Sequence, residues 1–348
     1  MDTFCVEPWR QIHFDSEGRV GPCCFFVRNN NVDIDNVKKL MLNNDPVMGC
    51  RSCYDQEQRG AFSMRQQSNK TYKFVDELTE LFITLGNTCN MACIFCNPSR
   101  SSKLASWMRN NPGTDWVNVY QQTQLADVVK DNTWFDNTDF SKIIEEHPIK
   151  TIHLNGGEPF AVKKVAQLLK ELPKNLEIII TTNGSWSIEH LDLLSEFDSV
   201  LLEVSIDAVG SVYDIIRFPA TWKQTEIQLA MLDNYNFNVV YSIVPNCINA
   251  LNLGAFAKRF TNKKILVNYL NGQKHLGLWN IPQHIKPLVE EQIDQLEVEQ
   301  VGLKSELKQE PQMLDRLEQL VGHWEETRNQ KIWETIGWRL YEENTNNR

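Results

Sequence analysis

Six apolar runs of strand length constrain this chain more than any other feature. They are "ELFITLG" (80–86), "KTIHLN" (150–155), "EIIITTN" (177–183), "SVLLEVSID" (199–207), "NVVYSIV" (238–244) and "KILVNYL" (264–270). They are rich in β-branched residues and largely continuous, which suits strands covered on both faces. Helical patterns alternate with them, among them "AVKKVAQLLKEL", "SIEHLDLLSEF" and "TEIQLAMLDNY". Six strand–helix alternations predict an α/β fold: a parallel sheet with right-handed crossovers. The stretch from 97 to 149 is longer than one crossover helix needs and predicts an insertion. Such sheets place their chemistry at the carboxyl ends of the strands. Four polar signatures fall there: "GNTCNMACIFC" after the first run, "NGGEPF" after the second, "TTNGS" at the third and "SIDA" at the fourth.

Composition narrows the function classes. A formal net charge of −10 argues against a general phosphate-backbone binder, so nucleic acid is not an expected partner. The start, "MDTFCVEPWRQIHF", has no basic region leading into a long apolar run, and no segment reaches 18 uninterrupted apolar residues. A cytoplasmic protein with neither secretory signal nor membrane span is the expectation. Nine cysteines in such a chain predict metal or redox chemistry rather than a disulfide framework. Five of them lie in the first 53 residues, three lie between 89 and 96, and Cys247, after a strand, reads as a buried thiol. Residues 1–75, rich in Asn, Asp and Gly, read as a small irregular domain held by its cysteines. The main α/β domain is expected over 76–275 and a charged helical extension over 276–348. The polar stretch 55–73, with Glu57, Arg59 and Arg65, reads as a solvated linker, with substrate contacts as the other reading.

Cys89, Cys93 and Cys96 stand in C-x3-C-x2-C spacing with no fourth cysteine nearby. Three thiolates can hold three irons of a [4Fe-4S] cluster and leave the fourth iron open. The spacing alone also allows a zinc site completed by a histidine, or three buried thiols. With Phe95 before the last cysteine and "NGGEPF" after the next strand, the sequence resembles a radical S-adenosylmethionine (SAM) enzyme over about residues 78–270. The resemblance implies a partial (β/α)6 TIM-like barrel, with SAM on the open iron. Reductive cleavage of SAM to a 5'-deoxyadenosyl radical, which takes a hydrogen atom from the substrate, is the implied chemistry. Gly156 and Gly157 would let backbone approach the methionine end of SAM, and Glu158 would accept from its ammonium. "VSIDAVGSVYDIIR" resembles the segment in which a serine and an arginine contact SAM, here Ser205 and Arg217. The other reading makes Ser205 a strand end and Arg217 half of a surface ion pair. Asn183 and Asp207, at strand ends, are further candidates for cofactor or substrate contacts.

The early cysteines resemble the ligand pattern of the twitch domain, a shortened relative of the SPASM domain that holds an auxiliary [4Fe-4S] cluster. "CVEPW", "GRVGPCC" and "CRSCYDQE" carry that resemblance. It implies Cys5, Cys23, Cys50 and Cys53 as ligands, with Cys24 the alternative to Cys23, and zinc on the same thiolates the alternative to a cluster. The pattern precedes the barrel segment, whereas twitch domains usually follow it. Full ligation implies an electron relay, and an open auxiliary cluster of the molybdopterin-pathway cyclase type is the alternative. The expected function is a radical SAM enzyme with two [4Fe-4S] clusters. It would act on a small molecule or a peptide and draw electrons from a donor such as flavodoxin or ferredoxin. An RNA- or nucleotide-modifying radical SAM enzyme is one alternative. A non-catalytic iron-sulfur protein for electron transfer or redox sensing is another.

Overall fold

The computed structural model describes residues 2–28, 30–58, 62–111, 134–270, 273–296 and 301–338. Eight strands occur among them: β1 (Gln11–Phe14), β2 (Val20–Gly21), β3 (Glu80–Thr84), β4 (Thr151–Asn155), β5 (Glu177–Thr182), β6 (Ser199–Ser205), β7 (Asn238–Ile243) and β8 (Lys264–Val267). β3 to β8 are the six apolar runs. The fold is α/β with a mostly parallel sheet. Two compact units divide the chain: Met1–Thr88, Asp131–Thr181 and Ser187–Leu201 form the first, and Cys89–Lys130, Thr182–Trp186 and Leu202–Arg348 the second. Part of the expected insertion, 112–133, lies outside the described residues, as does Arg59.

In the first unit the strand order is β2-β1-β3-β4-β5. β1 pairs in parallel with β3, β3 with β4 and β4 with β5, and β2 runs antiparallel to β1. A strand of the N-terminal segment therefore joins the sheet edge at β3. Leu81, Ile83, Ile152, Leu154, Ile178 and Ile180 point to one face and are wholly buried. The opposite face carries Thr151, His153 and Asn155 on β4 and Glu177, Ile179 and Thr181 on β5, all half-buried. This corrects the expectation of strands covered on both faces. Alternate residues are polar, and only the apolar set is packed away. In the second unit the order is β6-β7-β8, with β7 and β8 parallel.

The helices follow local chemistry. Lys163–Glu171 buries Val165, Leu168 and Leu169, spaced to share one face, and stops just before Pro173. Ile188–Ser195 starts at Ser187, whose side chain and that of His190 form a reciprocal capping box. Helices in the charged C-terminal region are Lys286–Asp294, Val301–Leu307, Leu314–Arg328 and Ile332–Ile336.

The N-terminal segment has a small core of its own: Cys5, Trp9, Val37, Met41, Val47, Cys50 and Tyr54 pack together, with Phe4, Phe26, Val32 and Leu40 against them. The polar stretch after Cys53 is not a solvated linker. Arg65 and Glu57 form a buried ion pair at 2.6 Å, and Arg65 also donates to the Phe4 carbonyl at 2.6 Å. Asn69 accepts from the Val6 N–H at 2.9 Å and donates to the Phe4 carbonyl at 2.9 Å. A polar side chain costs little to bury when every bond it makes is satisfied, and here those bonds hold the Cys5 loop.

Two histidines, His153 half-buried and His275 buried, link this packing to pH. His153 bonds Thr181 at 3.0 Å and lies against Phe82; His275 is 2% exposed. Burial lowers both from the ordinary 6.5 to about 4, with Arg316 adding to the effect at His275. Each is neutral when folded and free to charge when unfolded, so the unfolded chain binds more protons between those values. Stability should therefore rise as pH increases from about 4 to 6.5. Urea midpoints across that window should show the slope, and His275→Gln should flatten it. A slope unchanged in that variant would remove His275 as a cause.

Candidate active site

In the second unit the three-cysteine loop is held at nearly every residue. The Ala92 and Ile94 N–H groups donate to the carbonyls of Phe218 and Ile216 at 2.6 and 3.1 Å. Ser101, which caps helix Ser102–Asn110, donates its hydroxyl hydrogen to the Met91 carbonyl at 2.6 Å. The Cys89 N–H donates to the Ser102 hydroxyl at 3.1 Å, and Gln273 donates to the Cys96 carbonyl at 3.2 Å. A loop whose backbone is bonded at so many points has little freedom to move its thiols. Cys93 is buried and Cys89 and Cys96 are half-buried. Burial pushes the Cys96 thiol up to about 12, and the neighbouring Cys93 and Cys89 add to the rise. The Cys96 sulfur is thus near enough to Cys93 and to Cys89 to feel the charge of each.

Arg217 and Asp207 form a buried ion pair beside this loop, which excludes the surface reading of Arg217. The other arm of the guanidinium points at the Cys93 sulfur, 3.8 Å away, and its centre lies 5.6 Å from the Phe95 ring centroid. Burial opposes the charge on Arg217, but the Asp207 carboxylate and the Cys93 thiol more than offset it and hold the group protonated. Asp207 has φ 66°, a left-handed conformation uncommon outside glycine, though aspartate tolerates it better than most residues. It is held on both sides: the Val244 N–H donates to its carboxylate and Asn249 donates to its carbonyl, each at 2.7 Å. Ser205 ends β6 and is half-buried. Asn183 directs its amide toward the Cys89 sulfur at 3.9 Å and donates to Asn90 at 2.8 Å. An open cleft of about 400 Å³, lined in part by Asn90, Met91, Asn183, Trp186 and Gln228, adjoins them.

The "NGGEPF" turn belongs to the first unit. Its backbone is bonded to the strand-end segment that leads into the cysteines: Gly157 N–H to the Gly86 carbonyl at 2.9 Å, and Glu158 N–H to the Thr88 carbonyl at 2.8 Å. A Cβ on Gly157 would lie 2.3 Å from the Thr88 oxygen, and Gly156 has φ 141°. Both glycines are therefore required by close approach of backbone to backbone. Glu158 is fully buried and accepts from the Phe160 N–H at 3.1 Å, capping the short turn that follows.

The N-terminal thiols also converge. Cys5, Cys50 and Cys53 are buried, Cys23 is half-buried and Cys24 is exposed. Burial pushes Cys5 and Cys50 up to about 12, with Cys50 and Cys53 adding at Cys5, and Cys53 adding at Cys50. Burial also raises Cys23, with Cys24, Cys5 and Cys50 contributing. Cys247 is buried, and its carbonyl accepts from the Trp338 indole at 3.1 Å. Among the described residues no three His, Cys, Asp or Glu side chains are arranged to hold a single metal ion. Ligands of one zinc lie about 2.0–2.3 Å from it, whereas the thiolates of a cluster bind separate irons and stand further apart. Soft, clustered thiols suit iron-sulfur chemistry.

Several polar residues around these groups were not anticipated from the sequence. In the first unit Arg28 donates to the Cys23 carbonyl at 3.2 Å and to His13 Nδ1 at 2.9 Å. The other ring nitrogen of His13 lies 2.9 Å from the Thr84 hydroxyl, which donates to Asn155 Oδ1 at 2.8 Å. Arginine can only donate, so His13 must carry its hydrogen on Nε2, and every later bond in the chain points the same way. In the second unit Arg328 reaches the cysteine loop. It lies on the same buried stripe as Leu317, Leu320, Val321 and Trp324, and a charge at the end of an apolar helical stripe was the available signal.

Residues 83–246 match the family model of the Radical SAM superfamily. The sporulation killing factor maturation protein SkfB of Bacillus subtilis is 24% identical over 173 residues, which cover 48% of this chain and 36% of that protein. A probable GTP 3',8-cyclase of Methanocella arvoryzae is 24% identical over 132 residues, covering 38% and 35% respectively. The chain thus spans about a third of the length of these curated relatives. The crystal structure of Streptococcus suis SuiB bound to precursor peptide SuiA overlaps 88% of this chain and 55% of that one, with 12% identity and a TM-score of 0.38. The family match and the relatives show that the middle of the chain is similar to the radical SAM superfamily.

The buried ion pair supplies a direct test of this packing. Asp207→Ala leaves Arg217 buried without its carboxylate and should lower the unfolding free energy by about 3–5 kcal/mol. Urea unfolding of the purified variant measures it. A change within error of zero would mean that water or another group replaces Asp207.

Proposed function

We propose that the chain is a radical SAM enzyme in which Cys89, Cys93 and Cys96 hold a [4Fe-4S] cluster, within a partial (β/α)6 barrel. The observation that carries this reading is the loop itself. Three thiols on one short loop are fixed by backbone bonds, Cys96 near the other two, with the Arg217 guanidinium turned toward Cys93. When bound, the cluster and SAM supply one-electron cleavage of SAM and the hydrogen-atom abstraction that follows. The chain's own residues have separate tasks. Gly156 and Gly157 offer a side-chain-free edge to the methionine end of SAM, and Glu158 an acceptor for its ammonium. Arg217 offers a charge-assisted bond to the cofactor carboxylate, and Asp207 sets its direction. Ser205 and Asn183 offer neutral hydrogen bonds, and Phe95 a flat apolar contact.

Cys5, Cys23, Cys50 and Cys53 hold an auxiliary cluster in a twitch-like domain. The exposure of Cys24 and the proximity of Cys23 to Cys5 and Cys50 favour Cys23 as the fourth ligand. With four protein ligands such a cluster passes electrons rather than binding substrate, and a reduced flavodoxin or ferredoxin is the class of donor that would serve. The substrate is a small molecule or a peptide. SkfB, named as a maturation protein, supports modification of a gene-encoded product, while the cyclase relatives keep a nucleotide in view.

The test is production of 5'-deoxyadenosine from SAM by the reconstituted, reduced protein. The Cys89, Cys93, Cys96 triple alanine variant should lose all of that activity. Two four-iron clusters in the parent also predict that its iron content falls by about half. Normal SAM cleavage by the triple variant would sink the assignment. Iron that falls to nothing would refute the second cluster.

A further inference from the structure

Arg328 ends helix Leu314–Arg328, more than two hundred residues after the cysteine loop, and its side chain returns to that loop. One guanidinium nitrogen donates to the Ala92 carbonyl at 3.0 Å, between Cys89 and Cys93. Three aromatic rings enclose the charge: Cζ lies 4.4 Å from the centroid of Trp107, 4.7 Å from Phe218 and 5.0 Å from Trp324. The residue is 7% exposed. Aromatic faces attract a cation, and the attraction grows when water is excluded. Trp107 comes from the helix that follows the cysteine loop, and Phe218 from the segment whose carbonyl accepts from Ala92 N–H. The box is thus assembled from the same pieces that hold the loop, and the C-terminal helix supplies the cation and one wall.

We propose that Arg328 is a positioning residue for the three-cysteine loop and that its buried charge favours the reduced state of the cluster held there. This rests on the reading of Cys89, Cys93 and Cys96 as cluster ligands. Reduction adds one electron, taken from an external one-electron donor, to a group already carrying thiolate charge. A nearby cation lowers the cost of that added charge, and more so where water does not screen it. The guanidinium bond to Ala92 fixes the distance over which this acts. The C-terminal helices clasp this unit at two further backbone points: Gln330 donates to the Asp214 carbonyl at 3.0 Å, and Trp338 donates to that of Cys247 at 3.1 Å.

The experiment compares the reconstituted parent with Arg328→Met and Arg328→Lys by redox titration followed by electron paramagnetic resonance, using dithionite as reductant. Arg328→Met, which removes the charge, should lower the reduced-to-oxidised ratio of this cluster about tenfold at fixed potential, equivalent to about 59 mV for one electron. Arg328→Lys keeps a charge but loses the planar fork and should fall by less. If the Met variant does not fold, Arg328→Gln supplies the uncharged comparison. An unchanged midpoint potential in an uncharged variant that holds its cluster overturns the proposal. The underlying reading is tested first and separately: a parent protein that takes up no cluster on Cys89, Cys93 and Cys96, by iron and sulfide analysis, removes the premise and the proposal with it.

Discussion

The Asp207–Arg217 ion pair organises the second unit. Asp207 stands just beyond β6 and bonds the Val244 N–H just beyond β7; Arg217 follows helix Gly210–Ile216 and reaches Cys93. One carboxylate thereby joins the ends of two strands, and one guanidinium joins them to the cysteine loop. Both groups are buried, so neither can be removed without stranding the other in a medium that penalises lone charge. The same pair explains the left-handed backbone at Asp207. A conformation that costs free energy by itself persists because three bonds fix the residue from three directions.

The first unit relies on a directed hydrogen-bond chain. Arg28 donates both to the Cys23 carbonyl and to His13, and from His13 the bonds pass in one direction through Thr84 to Asn155, the residue before Gly156. Because arginine has no acceptor, the orientation of each later group is determined in turn, and the Asn155 amide ends with its N–H groups as the remaining donors. β1 makes this chain possible, since its parallel pairing with β3 puts His13 beside Phe82 and within reach of Thr84. The N-terminal segment is thus part of the sheet as well as the holder of five cysteines.

Much of the fold was legible because it is written locally. Strands β3 to β8 lie within the six apolar runs, and the helices between them show their spacing and caps in sequence. The cysteine spacing and the paired glycines were equally legible, since each depends on neighbours a few positions away. The polar face of β4 and β5 was in the sequence too, as Thr151, His153, Asn155, Glu177 and Thr181, but the intervening isoleucines made the runs look continuously apolar. Contacts over long separations left little trace. β1 is four residues long, and nothing in "QIHF" announces a partner about seventy residues away. Arg65 and Glu57 looked solvated because charge usually is, and only their mutual proximity shows otherwise.

Arg328 marks the boundary of what spacing can reveal. The cysteines are recognisable because chemistry requires them at fixed intervals, whereas the residues that set their surroundings need only arrive at a place in space. A guanidinium can reach the Ala92 carbonyl from any element that ends nearby, so its position in the chain is free to vary. Its physical requirements are not free: a buried cation needs aromatic faces or acceptors around it, and Trp107, Phe218 and Trp324 supply the first while Ala92 supplies the second. A buried charge at the end of an apolar helical stripe is therefore the sequence trace such a residue leaves. In a chain already carrying a three-cysteine loop, that trace directs attention to the C-terminal helix as part of the site.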